Sequence, residues 1–400
     1  MVGLALRLSF PGDLEFKADE AYMWAATQGL RQVEPFPALG MPSGAGGLRN
    51  PGLSIWAFSA PAQILKIQTP EGLALFVSLC FLAALLGAAL WARIALAAKD
   101  RVLPYLALGL AAVNPYLVLY TRKPWAQSLL PVLLLPAWIG LSRRDRCWGA
   151  FLWSFAGTLM GQLHMSGFIW AAATGLGVLI DASKRRSTRW AWVVAGGVAA
   201  SCFMLPWFSE LGAHGAGAGG GWPSIESLVP RYWLYGLDTL LAFPFAHTLG
   251  GDVKKFYLSF AWGLPSLLAA LQIALVVAAL ALGLRRRGEW PRWERWSLFV
   301  LLVLMALVFA LSGLRVHRHY WIVAMPALWM LWVRCALWAW PRRAFLAACL
   351  FAIAQAGSTA LLLAFIHRQG GAAGDFGTSL RLQSEETRGR IKIPDTGQSK

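Results

Sequence analysis

Charge is what this chain has least of. Asp, Glu, Lys and Arg make up 14% of its 400 residues, against about 25% in an average soluble domain. That scarcity, beside 58% hydrophobic residues, excludes an ordinary water-soluble surface. Acidic residues are fewest, 19 against 36 basic. Cysteine is sparse and odd in number: Cys80, Cys147, Cys202, Cys335 and Cys349. An odd count excludes a complete disulfide set, and none of the five has metal-ligand spacing. They read as small apolar packing residues. Ser and Cys nucleophile arrangements are missing, and no repeat of fixed period is present. The glycine run "GAGAGGG" lacks the Lys-Ser/Thr that a phosphate loop requires. "MVGLALRLSF" is too short for a cleavable leader, and no small-residue cleavage site follows it.

Long apolar runs are abundant. About 20 apolar residues cross a hydrocarbon core, and the runs 72–98, 102–120, 125–141, 147–165, 167–183, 190–208, 257–284, 296–313, 319–338 and 344–366 tile most of the chain. The expected fold is an all-α polytopic membrane bundle forming one domain over 1–366, with 367–400 as an outer tail. The net charge of +17 would suggest nucleic acid in a soluble chain. Here the basic residues punctuate the apolar runs, which argues against a nucleic-acid partner.

The basic clusters "AKDR" (98–101), "RRDR" (143–146), "KRRSTR" (184–189), "RRRGEWPRWER" (285–295) and "RCALWAWPRR" (334–343) all fall on one side if 147–183 is two short spans turning near His164–Gly167. One long helix would put them on opposite sides. The positive-inside rule selects the hairpin and makes that side cytoplasmic. Residues 11–70 and 209–256 then form the large outer loops. Fourteen of the nineteen acidic residues lie outside; the exceptions are Asp100, Asp145, Asp181, Glu289 and Glu294. Residues 1–10 are too few to span. They read as a re-entrant piece or as the remainder of a span that begins upstream, and the second reading is favoured. In the first outer loop, 19–31 and 53–67 suit short surface helices, the latter with Trp56 and Phe58 toward lipid.

Four outer groups carry chemistry. "KADEAYMW" puts Asp19 and Glu20 where the outer loop meets the apolar boundary, and burial there raises a carboxylate's pKa, which suits it to accept a proton. The plain alternative is a solvated helix start. "NPYLVLYTRKPW" carries Arg122 and Lys123 at the outer end of a span; they either snorkel or bind an anion such as a lipid phosphate, which Arg grips bidentately. "LRVHRHYW" gathers Arg315, His317, Arg318, His319 and Tyr320 on the same side, for phosphate recognition or interface anchoring. "GQLHMSG" sets Gln162 and His164 at an outer turn, as substrate contacts or packing residues. Carboxylates and cations together at a lipid–water boundary suit transfer of a group from a lipid-linked phosphate.

These motifs, in this order and on one side, resemble the GT-C class of integral-membrane glycosyltransferases, in the branch of protein O-mannosyltransferases and the lipid A aminoarabinose transferase. "ADEAY" looks like that class's acidic motif after the first span. "NPYLVLYTR" is similar to its motif after the third span, with Thr121 in the usual Ser place. "QLH" at 162–164 and "RHYWIVAMP" at 318–326 fit later motifs, although His319 separates Arg318 from Tyr320. The resemblance covers roughly 10–330. It implies about 10–11 transmembrane helices, a polyprenyl-phosphate sugar donor and inverting transfer to a lipid, protein or glycan hydroxyl. It also implies a site facing the outside of a bacterial inner membrane, with Asp19 first and Glu20 second as base or acceptor-orienting group. No cofactor is required, and a divalent ion at Asp19/Glu20 is left open. Two rivals stand beside this reading: a transporter or flippase of lipid-linked anions, and an O-antigen ligase or polymerase. The first predicts mid-span charge, and the spans have little. No large outer domain follows the last span; in the tail, Asp375 is within plausible reach of the site.

Overall fold

The protein is described by a computed structural model over residues 1–29, 35–42, 49–214, 230–241, 245–285, 303, 305–307 and 317–390. It is overwhelmingly helical. Five helices among the described residues are long and apolar enough to cross a membrane: Pro70–Ala95, Trp190–Glu210, Ala261–Gly283, Arg318–Ala339 and Ala344–Gln369. Large apolar side chains lie on their outsides as well as within. Leu75, Leu79, Leu86, Leu90 and Ile94 are exposed along the first, and Phe345, Leu346, Leu350 and Ile353 along the last. Contiguous exposed apolar surface of this extent belongs against lipid, so the chain is an all-α protein with the character of a polytopic membrane bundle.

In chain order the helices are α1 (Val2–Leu8), α2 (Ala18–Thr27), α3 (Leu53–Ile64), α4 (Pro70–Ala95), α5 (Val102–Val113), α6 (Pro115–Tyr120), α7 (Leu130–Ser142), α8 (Cys147–Leu163), α9 (Ser166–Ile180), α10 (Ala182–Ser187), α11 (Trp190–Ser201), α12 (Leu205–His214), α13 (Pro230–Leu241), α14 (Ala246–Leu249), α15 (Val253–Leu258), α16 (Leu264–Gly283), α17 (Met325–Ala339), α18 (Ala344–Gln369) and α19 (Leu380–Arg390). The two expected helices of the first outer loop form as α2 and α3, ending a few residues earlier than the pattern suggests, but α3 does not turn Trp56 and Phe58 to lipid: Phe58 is fully buried in the core, and Trp56 Nε1 donates to the Pro37 carbonyl at 2.9 Å.

The expected 102–120 run is broken in two. Pro115 has no N–H to continue the helix, and the Asn114 side chain accepts from Leu117 N–H at 3.1 Å, capping a new start. The 147–183 run is a hairpin. Gly161 and Gly167 let its strands of helix meet: a Cβ on Gly167 would lie 2.3 Å from the Met160 carbonyl carbon. Trp153 Nε1 donates to Thr174 Oγ1 at 3.1 Å across the same pair. The loops around 95–101, 143–146 and 184–189 accordingly meet at one end, where Arg143 donates to the Ala95 carbonyl at 2.6 Å and Arg189 Nε to the Asp145 carbonyl at 3.3 Å; residues 286–295 and most of the expected span 296–313 lie outside the described residues.

The main core joins α2–α9, α16, α17 and α18 around Phe58, Phe81, Trp170, Trp332 and Phe351; a second joins α1 to Phe245, Phe256, Phe365 and Phe376. Arg7 pins α1 by donating to Thr121 Oγ1 and to the carbonyls of Gly3 and Ala112.

The tail does not trail away. After α18, Gly370 takes a left-handed turn (φ 70°) that glycine adopts freely. Gly371–Ala372 pairs with Gly377–Thr378, and α19 returns along the N-terminal segment. Leu380 N–H donates to the Leu14 carbonyl, and Arg381 N–H to that of Gly12. Asp13 receives His367 Nδ1 at 2.6 Å and Arg381 Nε at 2.9 Å.

Candidate functional site at the carboxylate end

Successive residues on a helix point about 100° apart, and so Asp19 and Glu20 part company at once. Asp19 is exposed, and its Oδ2 accepts from Trp125 Nε1 at 3.2 Å. Glu20 is buried. Its Oε2 accepts from Lys17 N–H at 3.0 Å, anchoring the first turn of α2, and its Oε1 lies 3.0 Å from Lys123 Nζ. Lys123 is also 3.0 Å from Glu15 Oε2 and sits 4.1 Å from the centre of the Trp125 ring. Lys17 reaches Glu15 at 2.7 Å and Asp375 at 3.2 Å, and His247 lies 3.4 Å from Asp375. Acid and base thus alternate along Glu20, Lys123, Glu15, Lys17, Asp375 and His247.

Desolvation disfavours every charge in this ladder, and the partners decide which survive. Burial pushes the Glu15 carboxyl up, with Lys123 pulling against it. For Glu20 burial is outweighed by Lys123 and the backbone N–H groups, and its pKa falls below the usual carboxylate range. Burial works against the Lys123 cation too, yet Glu15 and Glu20 overcome it and raise its pKa. The hydrogen bond from His247 holds Asp375 well below its ordinary value despite burial, with help from the Lys17 charge.

A second cluster lies alongside. Arg318 Nη2 is 2.8 Å from Asp238 Oδ2, and Nη1 donates to the Tyr116 hydroxyl. That hydroxyl donates to Asp238 at 3.1 Å. The guanidinium stacks over Tyr116 and Tyr235 at 5.1 and 5.4 Å from their centres. Arg318 Nε and Asp238 Oδ1 are buried without a partner among the described residues. Aromatic rings join the two clusters: Tyr116 to Tyr120 at 6.0 Å, Tyr120 to Trp125 at 5.8 Å and Trp125 to His319 at 5.0 Å. Tyr120 lies in the field of Arg318, Lys123, Glu15 and Asp375 together. Asp19 and Arg318 are therefore linked through one line of packed aromatic rings, Tyr116, Tyr120 and Trp125.

The other expected site residues divide. His164, His317, His319 and Tyr320 come together: His319 is 5.5 Å from His164, 5.4 Å from His317 and 4.6 Å from Tyr320, ring centre to ring centre. His164 Nδ1 is 2.8 Å from Ser166 Oγ. Gln162 stands apart, donating to the Ala200 carbonyl at 2.8 Å in the interior between α8 and α11. Arg122, expected to grip phosphate, donates instead to the Ser9 and Phe10 carbonyls at 2.5 and 2.9 Å; its fork ties down the N-terminal segment. Lys123, expected in the same role, is the buried counter-ion of two carboxylates. Arg315 lies outside the described residues.

Sequence reasoning passed over Glu15, Lys17, Tyr116, Tyr120, Trp125, Asp238 and His247. "EFKADE" at 15–20 carries four charges in six positions, a density that marked the segment without marking the pairing. For a divalent ion, Glu20 offers little, since both its oxygens already face nitrogen donors. Among the described residues no three His, Cys, Asp or Glu side chains gather as a metal site. Compared with known proteins, the chain matches no family model, no curated protein and no solved structure.

Proposed function

We propose that this protein is a membrane transferase that moves a sugar from a polyprenyl-phosphate donor to an acceptor hydroxyl, at the end of the bundle that carries Asp19 and Arg318. The observation that supports the reading is the line of contacts between an exposed carboxylate, Asp19, and a buried guanidinium, Arg318, through Trp125, Tyr120 and Tyr116, with the His319 cluster beside it. In the reaction the acceptor oxygen attacks the anomeric carbon, the bond from that carbon to the phosphate oxygen breaks, and the polyprenyl phosphate departs with the electron pair. The acceptor's proton passes to a carboxylate, and the leaving phosphate gains charge that a guanidinium stabilises.

The two adjacent acids take different parts. Asp19 is the one open to an acceptor. Glu20, held by Lys123 and Lys17, fixes the start of α2 and so positions Asp19. Arg318 has its free Nε for the phosphate, with Asp238 and Tyr116 orienting the fork. The basic loops at the opposite end, read by the positive-inside rule, support an outer side for this end, which in a bacterial inner membrane would be the periplasm.

The test is transfer of labelled sugar from a panel of polyprenyl-phosphate donors by the purified, reconstituted chain. Asp19→Asn is expected to lose transfer by 10²-fold or more, on the order of a lost general base, while eluting as wild type on size exclusion. Full activity in that variant removes Asp19 from the mechanism. Arg318→Lys is expected to raise the donor KM, because a point charge replaces the bidentate fork; an unchanged KM refutes its phosphate role.

A further inference from the structure

His247 ends the acid–base ladder, and its surroundings give it more than a structural part. Its helix, α14, opens on Phe245, which holds a left-handed backbone (φ 59°). A bulky residue resists that conformation, and such strain persists only where packing over-determines it. Here the Phe245 ring is buried and meets Tyr116 edge-on at 6.4 Å and Phe256 at 5.7 Å. Tyr116 is the residue whose hydroxyl joins Arg318 to Asp238. The start of α14 is thereby fixed to the Arg318 cluster, and the His247 charge acts on Asp238.

From the other side the tail grips the same helix. Asp375 N–H donates to the His247 carbonyl at 2.7 Å, and Phe376 N–H to that of Thr248 at 3.3 Å. Ala373 N–H donates to Asp252 Oδ2 at 2.8 Å, and Phe376 is buried in one cluster with Phe245 and Phe256. Seated so, the Asp375 carboxylate is a bridge: Oδ2 lies 3.4 Å from His247 Nε2, and Oδ1 lies 3.2 Å from Lys17 Nζ. A carboxylate only accepts, so it selects the tautomer with Nε2 protonated and steadies the imidazolium. Nδ1 is left with no partner among the described residues. Both side chains are about half exposed, and Asp375 acts on Tyr120 and His319, the rings beside the Asp19–Arg318 line. A half-open imidazole steered by a carboxylate thus stands next to the groups that would hold phosphate.

Resting on the transferase reading, we propose that His247 is the acid that protonates the departing phosphate, with Asp375 of the tail as its positioning residue. The bond from the anomeric carbon to the phosphate oxygen breaks, the electron pair stays on that oxygen, and the oxygen takes the Nδ1 proton. Polyprenyl phosphate leaves as its monoanion, and the imidazole is left neutral. The acceptor's proton, taken by Asp19, passes to water, and water recharges His247, so the protons balance. The charged groups around this imidazole are Asp375 and Asp238, with Lys17 and Arg318 as their partners and Asp252 at the foot of the hairpin.

Transfer by the reconstituted full chain is measured across the range in which histidine titrates, about pH 5 to 8. Two donors are compared: the polyprenyl-phosphate sugar, and its phosphorothioate analogue, whose leaving group is less basic. His247→Gln is expected to lower kcat with the phosphate donor by 10²-fold or more, on the order of a lost general acid. Donor KM should hold, and the wild-type fall in kcat toward alkaline pH should vanish. With the phosphorothioate the loss should shrink to about tenfold or less, because that leaving group needs the proton less. Asp375→Asn should lower kcat by about tenfold or more, the worth of a hydrogen bond to a charged group, and Asp375→Glu should restore part of it. Size exclusion verifies the fold of each variant; should His247→Gln not fold, Asp375→Asn decides by the same comparison of pH and donor. Equal losses with both donors, or an alkaline fall that survives in His247→Gln, overturn the proposal and leave the pair as a latch for the tail. No transfer by wild type from either donor sinks the transferase reading, and this proposal with it. Transfer by wild type with His247→Gln unimpaired sinks this proposal alone.

Discussion

Replacing Lys123 by Met separates two accounts of one residue. In the structure Lys123 neutralises Glu15 and Glu20, each 3.0 Å away, and is almost wholly buried. Methionine keeps the length and removes the charge, leaving two buried carboxylates facing each other. Breaking a buried ion pair from one side costs about 3–5 kcal/mol. At about 2 °C per kcal/mol for a long chain, the midpoint of thermal unfolding in detergent should fall by roughly 6–10 °C. The pH dependence carries the sign. In the native protein Glu20 is lowered and Lys123 raised. The contribution of the Glu20–Lys123 pair is therefore full between the unfolded Glu value near about 4.3 and the unfolded Lys value near about 10.4. It is lost as pH falls through the Glu20 folded value, or rises through that of Lys123. In Lys123→Met, burial and the mutual repulsion of the two acids outweigh the help from Lys17 and the backbone N–H groups and raise their folded values, so the penalty vanishes in acid and grows as pH rises past about 4.3. The deficit against wild type should be smaller at pH 5 than at pH 8. Adding Glu15→Gln and Glu20→Gln should recover most of it, because no uncompensated charge is left. Fluorescence-detected size exclusion after heating, at both pH values, measures this. Wild-type stability with only a raised donor KM would refute the counter-ion argument and restore Lys123 to the phosphate.

Three further expectations follow from close contacts. Arg318→Gln strands Asp238 in a buried site and should cost about 3–5 kcal/mol; Asp238→Asn in the same chain should recover much of it, and additive losses in a thermal double-mutant cycle would dissolve the pair. A Cβ on Gly374 would lie 2.3 Å from Gly250 N and 2.4 Å from the His247 carbonyl. Gly374→Ala should therefore lift the 371–378 hairpin at a cost of about 1 kcal/mol or more, and proteolysis within the tail should quicken by about fivefold; unchanged cleavage would show that the hairpin is not seated there. Gly167→Ala drives a methyl into the α8 backbone and should cost about 1–3 kcal/mol, read as a lower unfolding midpoint.

Much of the architecture was legible in local chemistry. Apolar runs bounded by basic clusters located α4, α8, α9, α17 and α18, and Asp-Glu before "AYMWAA" located α2. The basic clusters, read by the positive-inside rule, announced the α8–α9 turn near His164–Gly167. These signals are short-range: a span needs only length and apolarity, a turn only its own residues. The pairings were not legible. A buried cation must find an anion, but nothing within a few residues of Lys123 says that Glu15 and Glu20 supply it, or that Asp238 orients Arg318.

The neighbours Arg122 and Lys123 show the limit most plainly. The sequence by itself determined that two cations follow a membrane-length apolar run, and that acids precede another. Only the tertiary structure decided that one cation ties down the backbone at Ser9 and Phe10, the other joins a six-member ladder from Glu20 to His247, and the tail returns to place Asp375 in it. The physical reason is range. Apolar periodicity is written along one helix, whereas desolvated charges are paid off by whichever partner packing brings within 3 Å or so, and packing is a property of the whole bundle.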